Sequence, residues 1–413
     1  MNSDVIIIGA GISGLCCARQ LETFGLTCLV LESGQFIGGR VRTDPVDGFL
    51  LDHGFQVLLT AYPEARRILN YKTLQLNNFT PGALIRSSDN FYSLYDPFRS
   101  PSKLLHTLFS PIGSFRDKVK IAQLKHRLQR GNFERLLKPS KLSTLEALKQ
   151  IGFSDKIIKE FFRPFFGGIF LEDKLSTPSG MFEFIFRMFS QGAAALPSQG
   201  MGAIPEQIAS KLPSGWIQTE RPVHSISNNS VQLTSGEVLR AKAVVLATPS
   251  QITEKFLGLV PKNGRCVTCL YYHAAIPPIT EPILVLNGEN YGPINNLCVP
   301  SQINSNYAPQ NSALVSVTIL GALTNNLEQQ VTSQLKSWFG EQVGSWALIK
   351  TYEIKHALPI IPSLFDLKNK PQATDNLFVC GDYRSSPSMQ GAMVSGHQTA
   401  NAVASFLGHH ISK

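Results

Sequence analysis

The chain has 413 residues, of which 43% are hydrophobic and 16% are charged, with 38 Lys and Arg against 29 Asp and Glu. This composition is globular and excludes a disordered or fibrous chain, and the length predicts two domains. No Lys or Arg precedes Arg19, and residues 180–197, the longest Phe-rich stretch, are interrupted by Glu183 and Arg187. We therefore expect neither a secretory signal nor a membrane span, and predict a cytoplasmic protein.

The first predicted unit is a strand, a glycine-rich turn, a helix and a second strand, and it ends at an acid. Gly9 makes the tight turn, Gly11 lets the backbone approach a pyrophosphate, and Gly14 lets the helix pack on the strand. The Glu32 carboxylate is placed to accept hydrogen bonds from ribose hydroxyls and to repel a 2′-phosphate. The predicted dinucleotide-binding residues are Gly9, Ala10, Gly11, Ile12, Ser13, Gly14 and Glu32.

A second motif follows at residues 38–43, which read Gly-Gly-Arg-Val-Arg-Thr, and residues 52–56 continue it as Asp-His-Gly-Phe-Gln. Paired glycines permit a close backbone approach, and Arg40 offers a planar cation to a phosphate or carboxylate. Near the other end, an apolar strand pattern runs into Gly381 and Asp382, and residues 388–396 then open a helix as Ser-Met-Gln-Gly-Ala-Met-Val-Ser-Gly.

With these motifs the chain resembles the flavin-containing amine oxidoreductase superfamily, which includes monoamine oxidases, protoporphyrinogen oxidases and plant-type phytoene desaturases. The resemblance implies FAD, held without a covalent bond because Tyr-Arg-Ser-Ser follows Asp382 and no Cys stands at the expected position. It also implies that the glycine pair and Arg40 meet the flavin end and the diphosphate, that Asp382 meets the ribitol, and that Val223 meets adenine. The further FAD-binding residues so implied are Gly38, Gly39, Arg40, Gly54, Val223, Gly381, Asp382, Met389, Gln390 and Ala392.

The predicted fold class is α/β: a two-dinucleotide-binding Rossmann-type FAD domain interleaved with an α+β substrate domain. Residues 215–247 alternate as a three-stranded ribbon with a turn at Ser235 and Gly236, and the resemblance implies that this ribbon belongs to the FAD domain. Helical patterns at 145–151, 156–166 and 180–190 and strand patterns at 267–274, 282–286 and 313–320 predict an antiparallel sheet flanked by helices. The FAD domain is predicted at 1–70, 197–255 and 352–413, and the substrate domain at 71–196 and 256–351.

The resemblance implies hydride transfer from an organic substrate to flavin N5, with oxygen, a quinone or another carrier as electron acceptor. Amine oxidases of the superfamily usually carry a Tyr where Ser388 stands and a Lys in the central sheet, where we find residues 270–273, Leu-Tyr-Tyr-His. The C-terminal block and the Phe-rich residues 161–171 are closer to plant-type carotene desaturases, which favours a largely apolar substrate. An amine or amino-acid oxidase and a non-catalytic flavin-holding assembly protein remain alternatives. Tyr271 and His53 are the candidates for a catalytic role.

The seven cysteines and the basic residues carry the remaining expectations. Cys266 and Cys269 have no second cysteine pair or His cluster beside them, so we predict no metal site. Between Arg99 and Lys141 eleven basic residues stand against two acids, interleaved with aliphatic and aromatic residues. A basic amphipathic surface of this kind favours weak, salt-sensitive contact with an anionic membrane, the alternative being a solvated face over the substrate domain. Aliphatic interleaving without a recognition motif argues against nucleic acid.

Overall fold

A computed structural model describes residues 3–131, 142–227, 229–360 and 370–409. Its first large sheet, here named the dinucleotide sheet, has six strands, and all neighbouring pairs are parallel except the last. Three of its central strands are buried along their whole length, as parallel strands covered on both faces require. The strand order is Ile217–Gln218, Cys28–Leu31, Val5–Ile8, Ala243–Leu246, Leu377–Val379 and Gln372–Thr374.

The two faces of the dinucleotide sheet are covered by different structures. One face packs against the helices Ile12–Thr23 and Met389–Phe406, the second of which we name the C-terminal helix. These helices approach closely at Gly396, where a Cβ would collide with the Ser13 carbonyl oxygen. The other face carries a three-stranded antiparallel ribbon, formed by Val223–Ser227, Ser230–Leu233 and Val238–Arg240. It is shorter than the predicted range 215–247, because Ile217–Gln218 and Ala243–Leu246 pair in the dinucleotide sheet instead.

The second large sheet, here named the large sheet, has seven strands and is antiparallel except where Leu284–Asn287 pairs with Gly82–Ser87. The helix Leu327–Phe339 covers one face through Val331 and Leu335, and the opposite face belongs to the main core. The strand order is Ala347–Pro359, Gly264–Ala274, Ala313–Leu320, Ile294–Cys298, Leu284–Asn287, Gly82–Ser87 and Asn90–Tyr95.

One predicted domain boundary falls inside a strand. Ala347–Pro359 pairs with Gly264–Ala274 from His273 to Gly264, so it lies wholly in the large sheet and crosses the boundary placed between residues 351 and 352. The return to the dinucleotide sheet therefore comes after Pro359. The sequence patterns also missed three further strands of the large sheet, Ile294–Cys298 and the hairpin of Gly82–Ser87 with Asn90–Tyr95.

The remaining elements are short strands and helices between the sheets. The described residues between 101 and 191 contain a group of helices that we name the helical layer, and two of them begin with capping boxes, Ser114 with Asp117 and Ser143 with Glu146. No helix within the described ranges has the length and apolarity needed to cross a bilayer. The helical layer comprises Pro101–Lys103, Leu104–Phe109, Phe115–Arg130, Thr144–Ile151, Asp155–Ile157, Ile158–Phe162, Arg163–Phe170 and Ser179–Gln191. Outside it, the helices are Pro63–Ile68, Tyr71–Leu74, Ala203–Ala209, Ser250–Phe256, Pro300–Ile303, Ser305–Tyr307, Gly340–Ser345 and Asp382–Arg384. The short strands are Thr43–Val46, Phe49–Asp52, Leu58–Leu59, Asn77–Asn78 and Ala194–Leu196.

Candidate cofactor and substrate site

A cavity of about 700 Å³ lies among the dinucleotide sheet, the large sheet and the helical layer. It brings together residues from both ends of the chain that the sequence motifs single out. Of the seventeen predicted FAD-binding residues, the following line it: Gly9, Gly11, Ile12, Ser13, Glu32, Gly38, Gly39, Arg40, Gly54, Val223, Gly381, Asp382, Met389 and Ala392.

The other three predicted residues lie behind the cavity wall. The Ala10 backbone N–H donates to Glu32 Oε2 at 2.9 Å, which holds that carboxylate beside the glycine turn. Gly14 packs against the Gly9 carbonyl oxygen. The Gln390 side chain points the other way, since its Oε1 accepts a hydrogen bond from the Glu64 backbone N–H at 3.0 Å. These three positions support the site instead of facing it.

The glycines of the first turn are required for different reasons. Gly9 has a φ of +106°, and a Cβ there would lie 2.8 Å from the Ala247 carbonyl oxygen. At Gly14 a Cβ would collide with the Gly9 carbonyl oxygen. Gly11 is different: its φ of −74° and ψ of 176° suit any residue, and no protein atom lies within 4 Å of the Cβ position. Protein packing therefore explains Gly9 and Gly14, whereas only an occupant of the cavity explains Gly11.

The N-terminal and C-terminal motifs meet in an ion pair. Arg40 Nη2 lies 2.8 Å from Asp382 Oδ1, and Arg40 Nη1 donates to the Ala357 carbonyl oxygen at 2.8 Å. Asp382 is almost fully buried, while about a third of the Arg40 side chain is accessible from the cavity it lines. The Arg40 guanidinium is thus fixed by two contacts and still presents part of its surface to an anionic group.

The N-termini of two helices lie at the same cavity. Gly11, Ile12 and Ser13 line it at the start of Ile12–Thr23, where no side chain caps the helix. At the C-terminal helix, Ser388 Oγ accepts a hydrogen bond from the Gly391 N–H at 3.0 Å, and Met389 lines the cavity. Free N–H groups and the positive end of a helix dipole favour negative charge, so both helices complement an anionic ligand.

Glu32 lines the cavity near the ribbon, and so does Arg221, which the sequence patterns did not predict. The two carboxylate oxygens of Glu32 accept from Ala10 and Gly34 N–H groups, both at 2.9 Å. The Arg221 backbone N–H donates to the Glu32 carbonyl oxygen at 2.8 Å. The arginine comes just before a predicted ribbon strand, and no spacing rule connects that position with residue 32.

His53, one of the two catalytic candidates, lies at the cavity in a charged cluster. Its Nε2 is 3.0 Å from Asp44 Oδ1, and the Tyr352 hydroxyl and Lys350 Nζ donate to Asp44 Oδ2 at 2.8 and 3.0 Å. Burial lowers the pKa of His53 more than the Asp44 carboxylate raises it. The hydrogen bonds from Tyr352, His53, Lys350 and Arg42 outweigh burial at Asp44 and lower its pKa. Asp44 therefore stays ionised and orients the His53 ring.

Tyr271, the other candidate, does not reach the cavity. It is 2% exposed, and its hydroxyl donates to the Asp52 carbonyl oxygen at 3.0 Å, so its contacts are structural. The residues of the large sheet that do line the cavity at this level include Val267, Thr318 and Ile354. Of the strand Gly264–Ala274, Val267 therefore lines the cavity, and residues 270–273 do not.

Beyond the glycine motifs the cavity wall is apolar. The helical layer lines it with Phe165, Ile169, Phe170, Met181, Ile185 and Phe189. From the large sheet come two polar side chains, Asn296 and Thr318, which bond each other at 3.3 Å. Over the residues that the structure describes, the helical layer and the large sheet contribute no Asp, Glu, Lys or Arg to the cavity wall.

Comparison with known proteins decides the family. The profile of the flavin-containing amine oxidoreductases matches residues 12–404. The chain belongs to this family. Membership confirms the resemblance inferred from the motifs, the FAD cofactor and the class of FAD-dependent oxidoreductase, and the two sheets confirm the predicted fold class.

The similar proteins differ in what they act on. Lysine-specific histone demethylase 2 of Homo sapiens is 48% identical over 58 residues, which are 14% of this chain and 7% of the demethylase. Protoporphyrinogen oxidase 2 of Arabidopsis thaliana is 25% identical over 166 residues, 40% of this chain and 32% of the oxidase. These matches span well under two thirds of either relative. The structure of cyclohexylamine oxidase from Brevibacterium oxydans IH-35A superposes with a TM-score of 0.70 at 17% identity, over 99% of this chain and 100% of that one. That likeness shows the fold alone.

The residues present fit FAD. The open position at Gly11, two helix N-termini, the fixed Arg40 and the Glu32 carboxylate supply what a diphosphate and a ribose require. The cysteines take no part: all seven are free, and Cys266 and Cys269 form no disulfide. In the described part of the chain no three His, Cys, Asp or Glu side chains converge as metal ligands would.

Proposed function

We propose that this chain is an FAD-dependent dehydrogenase or oxidase of a largely apolar, uncharged substrate, which it holds between the helical layer and the large sheet. The observation that carries the proposal is the uncharged wall on that side of the cavity, formed by aromatic and aliphatic side chains. An ammonium group entering it would lose its hydration without gaining a carboxylate partner from these elements, which disfavours a charged amine.

We further propose that the fourteen cavity-lining glycine-motif and C-terminal residues hold FAD, and that the FAD domain comprises residues 3–70, 197–255 and 370–409. Bound FAD supplies a two-electron acceptor for a hydride from the substrate. The chain's own part is to bind the substrate, exclude water and orient it. Asn296 and Thr318 are the polar groups placed to fix that orientation, because their side chains stand in an otherwise apolar wall.

The proposal is tested by anaerobic mixing of the FAD-loaded protein with matched substrates while the flavin absorbance near 450 nm is followed. An uncharged polyene hydrocarbon represents apolar substrates, and putrescine and cyclohexylamine represent amines. We expect bleaching by an apolar compound, and reoxidation by oxygen or a quinone. Bleaching by the amines alone would assign the chain as an amine oxidase. Bleaching only by dithionite or light would support a flavin-holding assembly protein.

A variant links turnover to the apolar wall. Phe165→Ala and Phe189→Ala remove aromatic surface from the cavity without touching the glycine motifs. We expect each to raise KM for the apolar substrate at least severalfold while FAD stays bound. Phe406→Ala is the matched control, because Phe406 is 43% exposed and lies at the far end of the C-terminal helix. Unchanged KM in both cavity variants would refute this assignment of the substrate side.

A second candidate is an amine oxidase, and one finding favours it. The family model that matches residues 12–404 is that of the flavin-containing amine oxidoreductases. The anaerobic experiment separates the two candidates directly, because the same apparatus presents both substrate classes to one preparation.

A further inference from the structure

The surface of the helical layer holds an unusual concentration of exposed apolar side chains. Seven of the seventeen large hydrophobic residues that are exposed within the described ranges lie between residues 98 and 119. A helical hairpin, Leu104–Phe109 and Phe115–Arg130, carries six of them. We name these six the apolar patch: Leu104, Leu105, Leu108, Phe109, Phe115 and Val119.

Around the patch, apolar side chains of the hairpin point outward, while two of its charged side chains lie inside beside the buried Leu124 and Leu128. Leu105, Phe109 and Phe115 are 62%, 83% and 66% exposed, whereas Asp117 and Lys125 are 1% and 8% exposed. A helix that packs on a soluble body normally shows the opposite arrangement. Solvation alone therefore does not account for the outward face of this hairpin.

The inward polar residues hold the hairpin in this orientation. Thr107 Oγ1 accepts from the Tyr95 backbone N–H at 2.9 Å. Asp117 accepts from the Ser154 backbone N–H at 2.9 Å, and Lys125 Nζ lies 2.6 Å from Asp96 Oδ2. Two of these anchors connect the hairpin to the adjacent residues Tyr95 and Asp96, and the third connects it to Ser154. The patch is thus fixed outward by specific bonds, and it is no product of a loosely packed helix.

Charge around the patch is positive. Arg116 is exposed, and Lys118 and Lys120 donate to backbone carbonyl oxygens and form no salt bridge with any described residue. Of the two acids in the basic segment, Asp117 is buried, and Glu134 lies outside the described residues, as do Arg135, Lys138 and Lys141. Apolar side chains surrounded by unneutralised bases match the interface of an anionic bilayer, which offers acyl chains below negative headgroups.

The second helix of the hairpin packs on a helix that lines the cavity. Phe115–Arg130 contacts Ser179–Gln191 through Arg127 and Glu183, which lie 2.8 Å apart, and Arg99, just before the hairpin, donates to the Phe189 carbonyl oxygen at 3.1 Å. The other side of that helix lines the cavity with Met181, Ile185 and Phe189. We propose that the apolar patch and its flanking bases seat the protein on an anionic lipid surface, with the substrate side of the cavity next to the bilayer.

Vesicle binding tests this without any turnover, so its outcome is independent of the proposed function. The FAD-loaded protein is sedimented with phosphatidylcholine vesicles containing or lacking phosphatidylserine, at low and high salt. We expect binding to the anionic vesicles at low salt, and at least tenfold weaker binding at high salt because salt shortens the range of the attraction to the phosphatidylserine surface.

Two variants locate the surface. Replacing Leu105, Phe109 and Phe115 together by Ser should weaken vesicle binding at least tenfold, and Arg116→Glu should weaken it in a salt-dependent way. The matched control replaces Val238, Val260 and Ile276 by Ser, because these are 53%, 87% and 72% exposed elsewhere on the surface. Lys125 is unsuitable for charge reversal, since it is buried against Asp96. FAD content and circular dichroism show that each variant is folded.

Three outcomes would overturn the proposal. The first is absence of binding to phosphatidylserine vesicles at low salt. The second is equal binding by the patch variant and the control. The third is a dimer in light scattering that the patch variant abolishes, which would assign the patch to a second copy of the chain.

Discussion

Gly11 offers the sharpest test of the cofactor site, because protein packing gives no reason for a glycine there. Its backbone conformation suits any residue, and the Cβ of Gly11→Ala would meet no protein atom within 4 Å. The substitution should therefore leave the unfolding free energy of the FAD-free protein within about 1 kcal/mol of the original. A carbon atom nevertheless needs about 3.5 Å from its neighbours, so the methyl group occupies space that a bound phosphate requires.

We expect Gly11→Ala to weaken FAD binding at least tenfold, which corresponds to about 1.4 kcal/mol. Fluorescence titration of FAD-free protein gives the affinity, and urea denaturation gives the stability. Gly344→Ala is the matched control, since its Cβ also meets nothing within 4 Å and its backbone is unstrained, but it lies outside the cavity wall. Gly14→Ala should instead lower stability by about 1–3 kcal/mol through overpacking. Wild-type FAD affinity in Gly11→Ala would refute the assignment of the phosphates to this turn.

Three further predictions concern the supporting contacts. Arg40→Met should release FAD, and it should lower the stability of the FAD-free protein by about 2 kcal/mol because the buried Asp382 loses its partner. In urea denaturation, the double variant with Asp382→Asn should recover part of that stability. Burial raises the pKa of Asp52 to about 6 from 3.8, so the native state binds a proton more readily than the unfolded chain. The contribution of Asp52 to the free energy of unfolding is fully present below pH 4 and is lost as the pH rises through 6, a total of about 3 kcal/mol. Subtracting the pH profile of the unfolding free energy of Asp52→Asn from that of the original protein should isolate this contribution. Ser388→Ala removes the acceptor for the Gly391 N–H and should cost about 1 kcal/mol in thermal unfolding, whereas Ser388→Asn should restore most of it.

The sequence predicts the glycine turns and the Gly381–Asp382 motif well because backbone geometry there is local. A positive φ at Gly9 or Gly38 needs glycine whatever the rest of the chain does. The pairing of Arg40 with Asp382, by contrast, joins residues more than three hundred positions apart, and only the resemblance indicated that they share a site. Arg221 reaches the cavity because of the fold, and no sequence pattern predicts that it does.

Periodicity also failed to show which side of a helix faces solvent. The basic residues at 99–141 suggested an outward charged face that includes Lys125, but the Lys125 ammonium is buried in an ion pair with Asp96. Amphipathic spacing indicates that one face of a helix is more polar than the other. Which face is buried depends on the bonding partners that the neighbouring segments provide. The boundary at residues 351 and 352 was misplaced for a related reason: the strand Ala347–Pro359 is one long element, and its composition does not change where the prediction divided it.

The order of strands in the dinucleotide sheet sets the time at which the protein acquires its cofactor during synthesis. Val5–Ile8 is synthesised early, but one of the strands with which it pairs is Ala243–Leu246, which is synthesised much later. Ala243–Leu246 pairs in turn with Leu377–Val379, near the end of the chain. Asp382 and the C-terminal helix follow later still. Until then the nascent chain exposes the unpaired edge of a wholly apolar strand, a surface that favours aggregation. We therefore expect FAD to bind only after the C-terminal helix has been synthesised.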